Sequence, residues 1–223
     1  MRTSDGSDIN RARRSRRKPH WRVKAQSCRA DRDGPAAPMS RSSATVHIAH
    51  RPQFEDLRQM LVMIRPVEPQ DVDGVFNAVD HSRHELDRWM VWFQPSYSSE
   101  DAANWVRRGC AEHLAGTGYH FVMCDQDGVV MGVISFENVD AATATAMLGY
   151  WVSTPATGRG VAKSAIAQAL AWASTHTNIR RVWAQIAPDN VASRKVAEAN
   201  GFRLADGSAP PSGATHHRFE VSL

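Results

Sequence analysis

One stretch near the middle of the chain combines a strand, a glycine-rich turn and a helix. Residues 147–153 are apolar and aromatic enough for a strand, and Pro155 ends it. Apolar residues then recur at helical spacing over residues 161–173. Gly158 and Gly160 lie between the two, so side chains leave backbone N–H groups of the first helical turn uncovered. Because such groups and the helix dipole attract negative charge, this turn is typical of an anion site, usually a phosphate site.

Two other phosphate-binding motifs fit this turn less well. A dinucleotide-binding fold needs a third glycine for close helix–strand packing, and Lys163 stands at that position. A nucleotidase-type phosphate loop needs four residues between its first glycine and a Gly-Lys-Ser/Thr triplet, and this spacing does not occur in the turn. A turn that merely lets the helix pack on the strand is the plain structural alternative, so the turn alone does not identify a ligand.

A second stretch, residues 187–202, narrows the choice of ligand for this turn. Asn190 and Ser193 form an Asn-x-x-Ser motif that is followed after seven residues by Gly-Phe. Together with the Gly-Tyr-Trp strand at residues 149–151 and the glycine turn, this resembles the GNAT superfamily of N-acetyltransferases, and within it the RimJ/RimL-like branch. The resemblance covers approximately residues 61–223. It implies an α/β (α+β) fold with splayed centre strands, in which about four helices flank a mixed, mostly antiparallel sheet of about six to seven strands.

The resemblance also implies the acetyl donor, acetyl-CoA, and the residues that hold it. The pyrophosphate would bind backbone amides of the glycine turn, and the pantetheine arm would lie along the free edge of the preceding strand. The cofactor-binding residues implied in this way are Tyr150, Trp151, Val152, Thr157, Gly158, Arg159, Gly160, Val161, Ala162 and Asn190. Ordinary helix capping is the alternative role for Asn190 and Ser193, since both residue types favour helix starts.

Two departures from the family pattern affect the catalytic residues. Ala197 stands where many members carry the tyrosine that protonates the leaving thiolate, and Met147 stands where relatives often carry a glutamate. Ser193 is therefore the candidate acid for the thiolate. Glu137, at the predicted end of its strand, is the candidate general base, although a solvated strand end is its plain alternative. Other candidates for the base are His84, Glu85 and a water relay.

An aromatic cluster lies at residues 89–95, after the first predicted helices. Leu86, Trp89 and Trp92 match a Leu-x-x-Trp-x-x-Trp stretch of RimL-like sequences, in which the first helices cover the acceptor site. The resemblance therefore implies that Trp89 and Trp92 form a wall of the substrate pocket. Core packing is the alternative for both, because large aromatic side chains bury readily.

The remaining pattern predicts the other elements of the domain. Strands are expected at residues 61–65, 119–124, 129–136, 181–187, 202–204 and 216–222. Helices are expected from Asp71, from Ser98 and over residues 191–199. The second and third strands form a hairpin through an Asp-Gly turn, and the last two pair around a loop at residues 207–213.

The first 50 residues carry the chain's excess of positive charge, with 12 Lys and Arg against 4 Asp and Glu. The basic run at residues 11–18 suits contact with nucleic acid or the ribosome. Charge bias without apolar periodicity favours a disordered extension over residues 1–50, followed by an acetyltransferase domain at residues 61–223. Translation starting instead at Met39, Met60 or Met63 is a further alternative.

Cysteine content and hydropathy restrict the cellular environment and the kinds of site that are expected. Three scattered cysteines do not suit a disulfide framework or a zinc site, so no metal is expected and a reducing, cytoplasmic environment is favoured. No apolar run approaches the approximately 20 residues of a membrane-spanning helix, and no membrane contact is expected. For the oligomeric state, the sequence is compatible with both a monomer and a homodimer.

These observations predict an acetyl-CoA-dependent N-acetyltransferase that acts by direct transfer to a primary amine, without an acyl-enzyme intermediate. The acceptor is either a protein N-terminal amine, such as that of a ribosomal protein, or a small amine. Small-amine candidates are an amino-modified antibiotic, an aminoacyl compound and a polyamine. A non-catalytic acetyl-CoA-binding or nucleic-acid-associated module is the alternative, which the basic first 50 residues and the two departures favour.

Overall fold

The computed structural model describes residues 61–205 and 216–223. The predicted extension over residues 1–50 and the predicted loop at residues 207–213 lie outside the described residues. The described residues form a sheet with helices packed on both of its faces.

The sheet has seven strands. They are β1 (Met63–Pro66), β2 (Tyr119–Cys124), β3 (Val130–Asp140), β4 (Thr145–Val152), β5 (Arg181–Ile186), β6 (Arg203–Leu204) and β7 (His217–Ser222). Their order is β1-β2-β3-β4-β5-β7-β6, and every neighbouring pair is antiparallel except β4 with β5. The mixed, mostly antiparallel sheet predicted from the sequence is confirmed.

Five α-helices accompany the sheet in the described ranges. They are α1 (Val72–Asp80), α2 (Arg83–Trp89), α3 (Ser99–Ala115), α4 (Val161–His176) and α5 (Val191–Ala199). The start of α3 is capped by Ser98, whose hydroxyl accepts the Asp101 N–H, as the sequence pattern predicts. The chain turns between α1 and α2 at Ser82, whose buried hydroxyl donates to the Ala78 carbonyl at 2.7 Å.

Successive side chains of each strand point to opposite faces of the sheet, and the core is divided between these two faces. Side chains such as Phe121 and Ile134 pack with the apolar stripe of α4, which includes Ile166. Their neighbours Val122 and Val133 point the other way and pack with α1 and α3. Each face of the sheet is therefore covered by helices, and a side chain of β3 or β4 belongs to one face or the other by its position alone.

The two parallel strands diverge. Pairing of β4 with β5 covers only the first three residues of each strand and stops at Met147 and Trp183. On its other side, β4 stays paired with β3 as far as Val152. Residues 148–152 of β4 thus have a ladder partner on one side and an opening toward β5 on the other. This opening connects the two faces of the sheet and provides the splayed centre expected from the resemblance.

The end of β3 differs from the sequence prediction. The predicted strand ends at residue 136, with Glu137 at its end, whereas β3 continues to Asp140, which pairs with Thr145. A register shift between Glu137 and Asp140, with Asn138 at φ 51°, lets the strand continue past an irregular residue. Glu137 consequently lies inside the ladder, opposite Met147, and its side chain is held on one face of the sheet.

Candidate active site

A cavity of about 570 Å³ occupies the opening between β4 and β5. Its lining comes from β3, β4, β5, α1, α3, the start of α5, the end of α2 with the segment that follows it, and His216 before β7. The predicted site residues in the lining are Trp89, Trp92, Glu137, Tyr150, Trp151, Asn190 and Ser193. Side chains separated by more than 100 positions along the chain therefore share one cavity.

The cavity has two sides because consecutive residues of β4 point to opposite faces. Tyr150 packs with the cluster that contains α4 and α5, whereas Trp151 is buried among residues of α1 and α3. We call the first the α5 side and the second the α3 side. Glu137, in register with Met147, lies on the same face as Trp151.

On the α5 side, two hydroxyl groups contact each other. The Tyr150 hydroxyl lies 2.8 Å from Ser193 Oγ and 3.2 Å from the Ser193 carbonyl oxygen. Burial raises the pKa of the Tyr150 phenol, and the hydrogen bond with Ser193 opposes that rise in part. The phenol is therefore neutral at physiological pH and keeps its proton for hydrogen bonding.

The side chain of Asn190 is engaged at the start of α5. Its Oδ1 accepts the Ser193 N–H at 3.0 Å, which caps the helix. The capping alternative for Asn190 is thus observed, and the cap fixes the turn that carries Ser193. Ala197, one turn further along α5, is buried and has no side-chain proton to offer.

On the α3 side, Glu137 is oriented by its neighbour. The Ser135 hydroxyl donates to Glu137 Oε1 at 2.8 Å, and both side chains lie on the same face of β3. Gly149 stands opposite Ser135 on β4, and a Cβ at Gly149 would lie 3.8 Å from Glu137 Oε1. The glycine therefore leaves space in front of the carboxylate, within the cavity.

Aromatic rings form the wall of the α3 side. Trp92 contacts Tyr97 and Trp151 at centroid distances of 5.9 and 6.3 Å. Its exposure of 44% decides against core packing as its role, whereas Trp151 is buried. Burial, together with the charge of Asp101, raises the pKa of Tyr97 to about 12, so this phenol is also neutral at physiological pH.

The glycine turn lies outside the lining of this cavity, at the start of α4. Gly158 and Gly160 have φ values of 75° and 77°, which favour glycine, and a Cβ at either position would meet no atom within 4 Å. Gly160 is the residue before the helix, and the first N–H groups of an α-helix have no intrahelical acceptor. An open surface with outward backbone donors fits a pyrophosphate.

The remaining cofactor candidates lie along the chain between the cavity and α4. Val152 ends β4 opposite Gly132, and the Thr157 hydroxyl donates to the Thr154 carbonyl at 2.8 Å. Arg159 is exposed within the turn, and the buried Val161 begins α4 with Ala162 beside it. None of these residues lines the cavity in the described part of the chain.

Sequence reasoning missed several lining residues. Ser135 carries the period-2 signal that places it beside Glu137, but its hydrogen bond depends on side-chain geometry. Trp105 and Arg108 lie one helical turn apart on α3, and nothing local shows that this side of the helix meets β2 and β3. The alternative bases His84 and Glu85 are exposed on α2, where His84 Nδ1 lies 3.6 Å from Glu85 Oε1, and both are outside the lining.

Residues 61–205 and 216–223 offer neither a metal site nor a helix that could span a membrane. In these ranges no three His, Cys, Asp or Glu side chains are grouped so that they could hold a metal ion. The helices of the same ranges include none with the length and apolar character needed to span a bilayer.

The family model of the acetyltransferase (GNAT) domain matches residues 62–203, which is more than half of the chain. The chain belongs to the GNAT acetyltransferase family. This membership makes it an N-acetyltransferase with acetyl-CoA as donor, as the sequence analysis predicts. The family match covers both the glycine turn and the Asn-x-x-Ser motif of α5.

Individual GNAT relatives support the RimJ/RimL-like assignment. YdaF of Bacillus subtilis (strain 168) is 27% identical over 154 residues, covering 66% of this chain and 80% of YdaF. The ribosomal-protein-serine acetyltransferase of Escherichia coli (strain K12) is 26% identical over 141 residues, covering 63% and 78% of the two chains. Among solved structures, Mycobacterium smegmatis RimJ in complex with CoA-disulfide is similar with a TM-score of 0.65 and 26% identity, covering 74% of this chain and 83% of RimJ.

Proposed function

We propose that acetyl-CoA and the acceptor amine enter the β4–β5 opening from opposite sides and that the acetyl group passes directly between them. The observation that carries this proposal is that Glu137 and Ser193, which belong to different faces of the sheet, line one cavity. The thioester would be held on the α5 side and the amine on the α3 side. Positioning the two reactants in this way supplies much of the rate of such a transfer.

The donor fits the α5 side because its binding elements follow one another along the chain. The unpaired edge of β4 at residues 150–152 offers backbone groups to the pantetheine amides, as an added strand would. The turn at residues 157–162 offers backbone N–H groups to the pyrophosphate, with Gly158 and Gly160 leaving that surface open. The thioester then lies near Ser193.

The chemistry uses one carboxylate and one hydroxyl. Glu137, held by Ser135, removes a proton from the acceptor ammonium or amine, directly or through one water molecule. The amine nitrogen attacks the thioester carbonyl carbon, a C–N bond forms, and the C–S bond breaks. Ser193 donates its proton to the departing thiolate and is in turn supported by the Tyr150 phenol.

Tyr150 is the positioning residue for this step. When the phenol donates to Ser193 Oγ, the Ser193 hydroxyl proton is directed away from Tyr150 and is available to the sulfur. The partly buried phenol thus takes over part of the role that a tyrosine at position 197 has in many relatives. Ala197 at that position is compatible with this arrangement, since the hydroxyl pair comes from β4 and α5 together.

The acceptor that we place first is the N-terminal amine of a protein. The E. coli relative is named as a ribosomal-protein-serine acetyltransferase, and the cavity opens to the surface at Trp92 on the α3 side. A small amine with an aromatic or apolar body is the second candidate, because aromatic rings dominate that wall. Contact with the ribosome through the basic residues 1–50 is a further proposal, and it concerns residues outside the described ranges.

The test is a panel of amines, both N-terminal peptides and small amines, assayed by thiol release from acetyl-CoA with mass detection of the acetylated product. We expect turnover with at least one class. Glu137→Gln should lower kcat about 10²- to 10⁴-fold, the range for a lost general base. Glu85→Gln is the matched control, since Glu85 lies outside the cavity, and should leave kcat unchanged.

A non-catalytic acetyl-CoA-binding module would give a different result. Such a protein would bind acetyl-CoA in calorimetry and release no thiol beyond the uncatalysed rate with any amine of the panel. If Glu85→Gln removes activity while Glu137→Gln keeps it, the assignment of the base to Glu137 is wrong.

A further inference from the structure

Among the described residues, the lining of the cavity carries one acidic and one strongly basic side chain. Glu137 is the acidic residue, and Arg108 on α3 is the basic one. The rest of the described lining is aromatic, apolar or uncharged, apart from His216. A cation at the rim of an aromatic acceptor pocket is not required for amine acetylation, so it calls for a separate explanation.

Arg108 lies next to a pair formed by the half-buried Glu112 and the buried His120. Its Nε lies 3.8 Å from Glu112 Oε1, one helical turn away on α3. The other carboxylate oxygen of Glu112 lies 2.6 Å from Nε2 of His120, which is 1% exposed on β2. His120 also contacts the ring of Trp105 edge-on at 5.7 Å, and Trp105 lines the cavity. The carboxylate next to Arg108 is thus bonded to a buried side chain of the sheet.

The same strands hold Glu137. His120 on β2 stands opposite Ser135 on β3, and Ser135 donates to Glu137 at 2.8 Å. The carboxylate next to Arg108 and the carboxylate of Glu137 are therefore both bonded to neighbouring strands, Glu112 to His120 on β2 and Glu137 to Ser135 on β3. A substrate that engages both Arg108 and Glu137 would be held at two points.

The chemistry of Arg108 suits an anion. A guanidinium carries five N–H donors in a planar fork that matches a carboxylate or a phosphate, and the 3.8 Å contact between Arg108 Nε and Glu112 is too long for a hydrogen bond. Arg108 is 61% exposed, so its donors reach the mouth of the cavity, where a substituent of a bound acceptor would emerge. Its neighbour Arg107 bonds to Asn104 instead and does not line the cavity.

We infer that the acceptor carries an anionic group, a carboxylate or a phosphate, in addition to its primary amine. Arg108 binds this group at the mouth while the amine faces Glu137. Glu112 and His120 are positioning residues for Arg108. The inference rests on the proposed function, since it takes the α3 side as the acceptor site. The anionic group belongs either to a small molecule or to acidic residues near a protein N-terminus.

Matched acceptor pairs test the inference. The small-molecule pair is 4-(2-aminoethyl)benzoate and 4-(2-aminoethyl)benzamide, which share shape and amine chemistry and differ in charge. The peptide pair has serine at its N-terminus, followed by two glutamates or two glutamines. Binding is measured by calorimetry with CoA present, so that no turnover is needed, and kcat/KM is measured with acetyl-CoA.

We expect the unaltered protein to prefer the anionic member of at least one pair by about tenfold, the scale of one charge-assisted hydrogen bond. Arg108→Gln should reduce this preference to about onefold and leave the KM of acetyl-CoA unchanged. Arg107→Gln, with the same loss of charge one position away, should keep the preference. His120→Leu, checked for folding by circular dichroism, should weaken the preference without changing the KM of acetyl-CoA.

Each outcome separates the two proposals. Equal binding of both members in the unaltered protein, or a preference that survives Arg108→Gln, overturns the inference. An anion preference in binding that depends on Arg108, without acetylated product from any amine, supports the anion site and counts against the proposed catalytic function. A preference only in the peptide pair assigns the anion to a protein N-terminus, and one only in the benzoate pair assigns it to a small molecule.

Discussion

The Tyr150 hydroxyl lies 2.8 Å from Ser193 Oγ and joins strand β4 to helix α5 on the α5 side of the cavity. The two residues are 43 positions apart in sequence. Neither would be identified as half of a hydroxyl pair from its own neighbourhood, because Ser193 follows an ordinary capping motif and Tyr150 belongs to an apolar strand. Their contact gives the first two predictions a direct geometric basis.

Replacing Ser193 by alanine should remove the proton donor of the leaving thiolate. A group that acts only in the transition state affects kcat and kcat/KM together, and we expect both to fall about 10²- to 10⁴-fold. Acetyl-CoA affinity, measured by calorimetry, should change little. A kcat within about twofold of the parent would reduce Ser193 to a residue of the helix cap, and a change confined to KM would make it a binding contact.

Tyr150→Phe should keep the ring and remove only the hydroxyl. Because the phenol acts on Ser193 and not on the sulfur, we expect a smaller loss of kcat, about three- to tenfold, on the scale of one hydrogen bond. The double variant with Ser193→Ala should be no slower than Ser193→Ala alone, since both changes affect one unit. Additive losses in this cycle would show that Tyr150 acts independently of Ser193.

Gly160→Val should weaken acetyl-CoA binding about 10- to 100-fold, because the new side chain covers backbone donors that the pyrophosphate needs. The left-handed backbone at φ 77° also strains any non-glycine residue, so a control with equal strain is required. Gly128→Val provides it, at φ 81° in the turn between β2 and β3, with the same open surroundings. Calorimetry that finds the two variants equally affected, or equally unaffected, would contradict the site at α4.

His113 should make the fold less stable in mild acid. Its Nδ1 is buried without a hydrogen-bond partner, and its ring lies among Tyr119, Phe121 and Trp172. Burial lowers the pKa of His113 below its ordinary value of 6.5, and the nearby His120 lowers it further. The unfolded chain therefore binds this proton at a higher pH than the folded chain does. The contribution of neutral His113 to the free energy of unfolding is complete above pH 6.5. It is lost as the pH falls from there through the pKa of His113 in the folded chain.

Urea unfolding at pH 7.5 and pH 5.5 measures this effect. His113→Phe keeps an aromatic ring in the cluster and should show a smaller loss of unfolding free energy between the two pH values than the unaltered protein. His176→Phe is the control, because that histidine stacks on Trp172 from an exposed position at the end of α4. The same pH dependence in all three proteins would exclude His113 as a source.

A chain that begins at Gln53 should retain the catalytic activity of the full chain. Residues 1–50 have a basic bias without apolar periodicity, and the cavity is lined by described residues from Val75 onward. We expect kcat and KM for acetyl-CoA and for the best small amine to stay within about twofold, which is below the effect of a lost catalytic group. A folded truncation that loses most of its kcat would give these residues a part in the reaction.

Some features of this fold are encoded by residues close together in the sequence. The strand, glycine turn and helix around Gly158 and Gly160 are determined by residues within approximately one turn of each other, through helical periodicity and the conformational freedom of glycine. The cap of α5 is local in the same sense, because the acceptor, Asn190 Oδ1, lies only three residues before the donor, the Ser193 N–H. These features, with the family motif they form, were predictable from sequence, as were the sheet class and the donor.

The assembly of the cavity depends on contacts that no local pattern contains. The opening between β4 and β5 arises where pairing stops at Met147 and Trp183, which is set by how two strands separated by a helix twist and pack. The continuation of β3 past Asn138 moves Glu137 from a strand end into the ladder. The pairing of Tyr150 with Ser193 and the line from Arg108 through Glu112 to His120 arise in the same way. By itself the sequence determined the elements and the chemical types of the candidate residues, because propensity and periodicity act over a few positions. Which of those residues face one another was decided only by the tertiary structure, because strand register and helix packing join distant parts of the chain.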